Sequence, residues 1–325
     1  MRGAHDGADG VRSVQRPCGL VIVGLLIAAL ALPVAVATGA GDKRAATVAG
    51  PATLRGGACA PWRVRPLLSG LGWLENLEFD GRGSISISAL TQGRLLGFSA
   101  RRNLSTLVTQ VLAPGGQRRR GRFLYFNTGD IVPVTSTGTI DRLDLRTGER
   151  STWARGLTMP NGLVLLPNGD AVVSRDIGTG TGLTRVPAHD PGHPQFAWAR
   201  LDDTNGLAVD PSGRWLYTDR TFSNDGEVDR VLISNPSRVE VVGRLGAGVA
   251  PDDLTVDPHG SLYVAGFASG KIYRLNPRTH ASCSIASGLT QPTSPRFGGP
   301  GWHARRLYVT DAGGHLSELT PPRRR

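Results

Sequence analysis

The sequence predicts an all-β fold: a six-bladed β-propeller of four-stranded blades, the last blade closed by an N-terminal strand. Three observations predict it. First, a segment recurs: LENLEFDGRGSISIS from Leu74, PNGLVLLPNGDAVVS from Pro160, TNGLAVDPSGRWLYT from Thr204 and PDDLTVDPHGSLYVA from Pro251, with a weaker copy from Pro292. Each copy is a polar residue, a short apolar stretch, a glycine-bearing turn and a β-rich run. Second, the polar residue falls at Glu75, Asn161, Asn205, Asp252 and Thr293, at intervals of 86, 44, 47 and 41 residues. The first interval is two repeats long. GRFLYFNTGD, with the IDRLDLRTGERSTWARGL that follows it, supplies the missing copy and brings the number to six. Third, each repeat continues into two more strand-like runs joined by Gly, Asp, Asn or Pro turns, the pattern of a propeller blade. No stretch after residue 45 keeps a helical period.

The elements follow in order. Residues 18–40 carry no charge and are preceded by Arg2, Arg12 and Arg16. A basic segment before an apolar core reads as a signal peptide over 1–40. An uncleaved anchor is the alternative, since about 20 apolar residues can span a bilayer. A secreted or extracytoplasmic location is expected either way, with membrane contact only through 18–40. Residues 41–60 read as a flexible linker, 61–320 as the propeller and 321–325 as a basic tail. Without the signal, Cys59 and Cys283 are the only cysteines. In an exported chain they either join as a disulfide or stay as two buried thiols. The sixth repeat has three strands before the chain ends. WRVRPLLSGLG, just ahead of the first copy, offers the fourth strand and removes an open edge.

The chain has 37 Lys+Arg against 26 Asp+Glu, a formal charge of +11. Only Lys43 and Lys271 are lysine. A nucleic-acid site would cluster basic residues on one element among aromatics. Here they are scattered apart from Arg118-Arg119-Arg120 and Arg323-Arg324-Arg325. They are expected at blade edges and in the tail, with no nucleic-acid partner and a monomeric chain.

The first strand of a propeller blade is innermost, so the residue that opens it faces the central channel. Glu75, Asn161, Asn205 and Asp252 should therefore converge on the axis. A blander reading takes Asn161-Gly162 and Asn205-Gly206 as turn dipeptides. Against it, each repeat has its own hairpin turn a few residues later, such as Asn168-Gly169 and Pro211-Ser212-Gly213. Two carboxylates and two amide oxygens suit a hard cation, Ca²⁺ ahead of Mg²⁺ or Mn²⁺. Zn²⁺ is further off, since no His or Cys falls at these positions. Asp253 either adds an oxygen or points away.

The repeated pattern resembles the senescence-marker-protein/gluconolactonase (regucalcin-like) family over roughly residues 61–320, and more distantly the paraoxonases and strictosidine-synthase-like proteins. TNGLAVDPSGRWLYTDR, PDDLTVDPHGSLYVA and the Glu of LENLEFD carry the resemblance. It implies a six-bladed propeller with one central divalent metal. By motif, Glu75, Asn205 and Asp252 match the family's metal ligands, and Asn161 matches a fourth polar residue touching metal, water or substrate. Two departures concern the substrate: Asn76-Leu77 follows Glu75 where the family commonly has Gly-Pro, and Asp253 stands where it commonly has Gly.

The resemblance implies a metal-dependent hydrolase of lactones or related esters. Asp252 is the candidate base and Asn161 a positioning group. The alternative is a non-catalytic ligand- or protein-binding propeller with a structural metal. No G-x-S-x-G occurs, so a serine nucleophile elbow is excluded. The Gly178–Gly182 run is like a phosphate loop but lacks the helix such a loop needs.

Overall fold

The computed structural model describes residues 59–131, 136–177 and 182–323. The expected signal or anchor, most of the linker, Gly178 to Thr181 and the last two residues of the tail lie outside the described residues.

Among the described residues there is no α-helix, and the strands form six four-stranded antiparallel sheets. The chain enters through β1 (Arg63–Leu68). Blade 1 is β2 (Leu74–Phe79), β3 (Ser84–Ala89), β4 (Arg94–Ser99) and β5 (Leu104–Val108). Blade 2 is β6 (Gln117–Arg120), β7 (Phe123–Thr128), β8 (Gly138–Asp144) and β9 (Arg150–Leu157). Blade 3 is β10 (Leu163–Leu165), β11 (Ala171–Val173), β12 (Leu183–Val186) and β13 (Gln195–Ala199). Blade 4 is β14 (Thr204–Val209), β15 (Trp215–Arg220), β16 (Glu227–Leu232) and β17 (Asn235–Arg244). Blade 5 is β18 (Pro251–Val256), β19 (Leu262–Gly266), β20 (Lys271–Leu275) and β21 (Ser282–Ser287). Blade 6 is β22 (Pro292–Phe297), β23 (Leu307–Asp311) and β24 (Leu316–Thr320), completed by β1 in the order β1-β24-β23-β22.

The first strands form the inner ring. β2 meets β6, β6 meets β10, and so on through β22, which meets β2 again. Six apolar clusters fill the six spaces between neighbouring blades. Leu74, Ile87 and Phe98 of blade 1, for example, pack with Tyr308 and Leu316 of blade 6. Leu207, Leu216 and Val231 of blade 4 pack with Val172 and Leu183 of blade 3. Each sheet is thus buried on both faces, which is why its strands carry apolar residues without the one-sided alternation of a surface sheet.

The expected closure holds. Arg63 pairs with Thr320 and Val64 with Leu319, so the first strand seals the last sheet. Trp62 N–H donates to the Ile285 carbonyl at 2.7 Å. Of the two readings left open for the cysteines, the disulfide is the one formed: Cys59 is bonded to Cys283 across a sequence separation of 224. It fixes the lead-in to β1 onto β21 of the neighbouring blade.

Two expectations need correction. The missing repeat starts earlier than GRFLYFNTGD: its inner strand is β6, QRRR, and GRFLYF runs into β7. The arginine run is therefore an inner strand and not a blade edge. Apolar patterning missed it because β6 packs only Gln117 fully inside, with Arg119 and Arg120 exposed. Arg118 Nη2 reaches the Leu207 carbonyl of blade 4 at 2.7 Å.

The disulfide closes nearly the whole ring, so Cys283→Ser should lower unfolding free energy by about 2–5 kcal/mol. Urea unfolding with and without reductant measures this. Reductant should shift the wild-type midpoint and leave the variant's unchanged.

Candidate functional site

Glu75, Asn161, Asn205 and Asp252 are all buried where the inner strands begin. A repeated β-bulge explains their presentation. In β2 the register slips between Leu74 and Leu77, in β14 between Thr204 and Leu207, in β18 between Pro251 and Leu254, and in β22 between Pro292 and Pro295. One extra residue per strand breaks the strict alternation and re-aims side chains toward the axis. Consecutive residues such as Glu75-Asn76 and Asp252-Asp253 are therefore all buried.

The glycines after Asn161 and Asn205 are not turn residues. A Cβ on Gly162 would lie 2.2 Å from the Asn205 carbonyl oxygen, and one on Gly206 would lie 2.5 Å from Asp253 Cα. Each glycine lets the next blade's backbone approach closely. In blade 2 the two equivalent positions are Gly115 and Gly116, so that blade offers no side chain from its inner strand. Asp130, from the loop after β7, takes the place: its Oδ2 lies 2.8 Å from where a Gly115 Cβ would stand. Asp130 and Asp176, the latter three residues past β11, escaped the sequence reading. Both lie just past second strands, away from the strand-opening position that the repeat singles out. The usable signal was the absence of a polar residue in blade 2, which implied a substitute from elsewhere.

The electrostatics join these groups. Burial raises the Glu75 carboxyl to about 7; the hydrogen bond from Trp73 opposes this, and Asp176 and Asp253 add to it. Trp73 Nε1 donates to Glu75 Oε2 at 2.7 Å, and its ring stacks on Phe267 at 5.7 Å. Burial also lifts Asp252 well above the ordinary carboxylate range, with Glu75, Asp219, Asp253 and Asp176 contributing. Asp130 is raised by burial, then by Glu75 and Asp176, against a hydrogen bond from Asn161. Asp176 rises to about 6, mainly by burial.

Several oxygens here are buried without a hydrogen-bond partner: Asn205 Oδ1, Asp130 Oδ2 and Asp176 Oδ1. A buried acceptor left unpaired costs about 1–3 kcal/mol. Asn205 is held by its other end, Nδ2 donating to Thr221 Oγ1 at 3.0 Å. A cation supplies what such oxygens lack, so the donor set fits a divalent ion with oxygen ligands. Among the described residues, no three acidic, histidine or cysteine side chains stand close enough to hold one ion by themselves. The shell would therefore draw on the amide oxygens of Asn161 and Asn205 as well as on Glu75 and Asp252.

Asp253 does not add an oxygen to this set. Its Oδ2 accepts from Asn76 Nδ2 at 2.8 Å, Ser294 Oγ at 2.6 Å and Arg296 Nη2 at 2.8 Å. Thr293, the weak fifth copy's polar residue, donates to the Leu74 carbonyl at 2.7 Å. Farther along the inner strands stand Glu78, Arg118 and Arg296. Burial and the Arg296 charge lower Arg118 to about 10. The histidines lie elsewhere: His259 in the β18–β19 turn, His303 between β22 and β23, and His315 against Asp311 with Nδ1 to Oδ1 at 2.9 Å.

Residues 182–313, from β12 through β23, match the family model described as SMP-30/Gluconolactonase/LRE-like region, the family the repeats resemble. Among solved structures, a gluconolactonase from Xanthomonas campestris superposes with a TM-score of 0.66 at 17% identity, covering 80% of this chain and 90% of its own. Regucalcin, a calcium-binding protein from Agrobacterium tumefaciens, gives 0.65 at 18% identity, covering 80% and 94%. Virginiamycin B lyase from Staphylococcus aureus gives 0.58 at 12% identity, covering 80% and 98%. At these identities the likeness establishes the fold.

Two outcomes follow. The raised carboxyls bind protons more tightly folded than unfolded, so without metal they favour folding at low pH and lose that contribution as pH rises through about 7. In chelator, the thermal midpoint should fall between pH 5 and pH 8, and calcium should restore more of it at pH 8. Separately, Arg296→Met leaves the Asp253 carboxylate buried without its cation and should cost about 3–5 kcal/mol. Adding Asp253→Asn should recover part of that loss in urea unfolding.

Proposed function

We propose that the chain is an exported, divalent-cation-dependent hydrolase of lactones or related esters, gluconolactonase-like in its chemistry. The observation that carries this reading is the buried set of Glu75, Asn161, Asn205 and Asp252 where the inner strands begin, with Asn205 Oδ1 and the neighbouring Asp130 Oδ2 and Asp176 Oδ1 buried and unpaired. The match of residues 182–313 to a gluconolactonase-type region supports the substrate class. The disulfide supports export, because such bonds persist in oxidising compartments.

Glu75, Asn161, Asn205 and Asp252 would hold the cation, with calcium the first candidate. Bound there, it would act as a Lewis acid toward the carbonyl oxygen of the substrate. The protein's own part is proton handling and orientation. Asp252, whose proton affinity burial raises above that of an ordinary carboxylate, takes the proton of the attacking water. Asn161, whose carbonyl is tied by Gly116 N–H at 2.8 Å and Asn127 Nδ2 at 2.8 Å, orients the water or substrate by its side-chain amide. Trp73 fixes one oxygen of Glu75 and leaves the other free.

The test combines metal analysis of the purified protein with a panel of lactones and aryl esters. Wild type with calcium should hydrolyse members of the panel. Asp252→Asn should lose at least about 10²-fold in kcat/KM, and Glu75→Gln should weaken calcium binding measured by titration calorimetry. A protein that binds calcium yet turns over no lactone or ester would be the non-catalytic ligand-binding propeller instead.

A further inference from the structure

A cavity of about 230 Å³ opens over blade 3, at the end of the sheet where its inner strand begins. Leu157 and Pro160, Val173, Phe196 and Ala197 form apolar walls, and Thr158, Ser174, Arg175 and Thr184 supply the polar groups. It shares its walls with the axial ring. Pro160 precedes Asn161. Ser174 Oγ accepts the Gly162 N–H at 2.7 Å and donates to the Asn205 carbonyl. Arg175 precedes Asp176. The Nε of Arg175 is buried and has no hydrogen-bond partner. Its backbone is pinned, N–H to Thr204 Oγ1 at 3.4 Å and carbonyl from the same hydroxyl at 3.2 Å. Phe196 is 61% exposed. It stands at the rim beside Ala197, whose φ of 50° is strained for a residue with a Cβ.

Arg175 lines a small, largely apolar recess beside the proposed reacting centre, where a guanidinium suits an anionic group of matching shape. The volume lies below the range of drug-sized pockets, so it takes a short substituent and not a polymer. We infer that Arg175 and the Leu157–Phe196 recess bind a carboxylate carried on a short aliphatic arm of the substrate, making this a hydrolase of acidic lactones or half-esters. The inference rests on the proposed ester or lactone chemistry and adds the charge of the substrate to it. The positive net charge of the chain draws such anions toward the molecule.

The experiment uses the full chain in calcium-containing buffer and reads binding apart from turnover. Titration calorimetry with glutarate and with its neutral diamide, glutaramide, tests the recess. Hydrolysis of mono-4-nitrophenyl glutarate against 4-nitrophenyl butyrate tests its use. Glutarate should bind and glutaramide should not. Arg175→Gln should weaken glutarate binding by about tenfold or more, and Arg175→Lys should keep part of it. In hydrolysis, Arg175→Gln should raise KM for the glutarate ester about tenfold more than it raises KM for the butyrate ester. Equal thermal midpoints for the three proteins exclude a folding defect. Absence of glutarate binding, or glutarate binding that survives Arg175→Gln, overturns the inference; the second result would mean that Arg175 serves only to balance Asp176. Glutarate binding with no ester hydrolysed leaves the carboxylate site standing and removes the hydrolase reading.

Discussion

The Asp253 carboxylate is the point on which the ring depends. One oxygen takes hydrogen bonds from Asn76 of blade 1, Ser294 of blade 6 and Arg296 of blade 6, while the other accepts the Leu254 N–H at 2.7 Å. Three inner strands are tied at the place where the ring must close. The same tie sets the ground beneath the site. Arg296 goes on to the Leu254 carbonyl at 3.0 Å, and Arg118 crosses from blade 2 to blade 4. A buried charge is tolerated only when paired and hydrogen-bonded, and here every oxygen of the carboxylate is used.

This network sorts the charges along the inner strands. Where the strands begin, carboxylates collect with amide oxygens: Glu75, Asp130, Asp176 and Asp252, of which only Asp176 has an arginine, Arg175, beside it. One to three residues farther along, Asp253 is balanced by Arg296, and Glu78 stands near Arg118 and Arg296. Burial raises the proton affinity of the first group, and only Asp176 has an arginine, Arg175, near enough to oppose the rise. The contrast between two acidic layers, one neutralised from within and one left open, is what the proposed cation site rests on. A protein with an overall positive charge thus keeps its most acidic region at its centre.

Much of this was legible in the sequence. The repeat interval counted the blades, and WRVRPLLSGLG announced the closing strand. Glu75, Asn161, Asn205 and Asp252 could be singled out because a residue that opens each inner strand is expected to face the axis whatever its distance in the chain. Other features lacked a local signature. Asp130 reaches the axis only because Gly115 leaves room for it. Arg118 was taken for part of a blade-edge run because inner-strand status depends on neighbours from blades 1 and 3, not on its own apolar pattern. Asn161-Gly162 and Asn205-Gly206 look like turn dipeptides, and only the next blade's backbone at 2.2–2.5 Å from their missing Cβ atoms explains the glycines.

The sequence by itself therefore determined the number of blades, the way the ring closes and which strand-opening residues meet. All of these follow from periodicity, which is a property of the chain. The tertiary structure decided which neighbouring polar residues serve the site and which serve the scaffold. Asp252 and Asp253 are adjacent and chemically identical, yet a β-bulge turns one toward the open acidic ring and the other into the grip of Arg296. That difference is made by contacts between blades 1, 5 and 6, and no spacing along the chain encodes it.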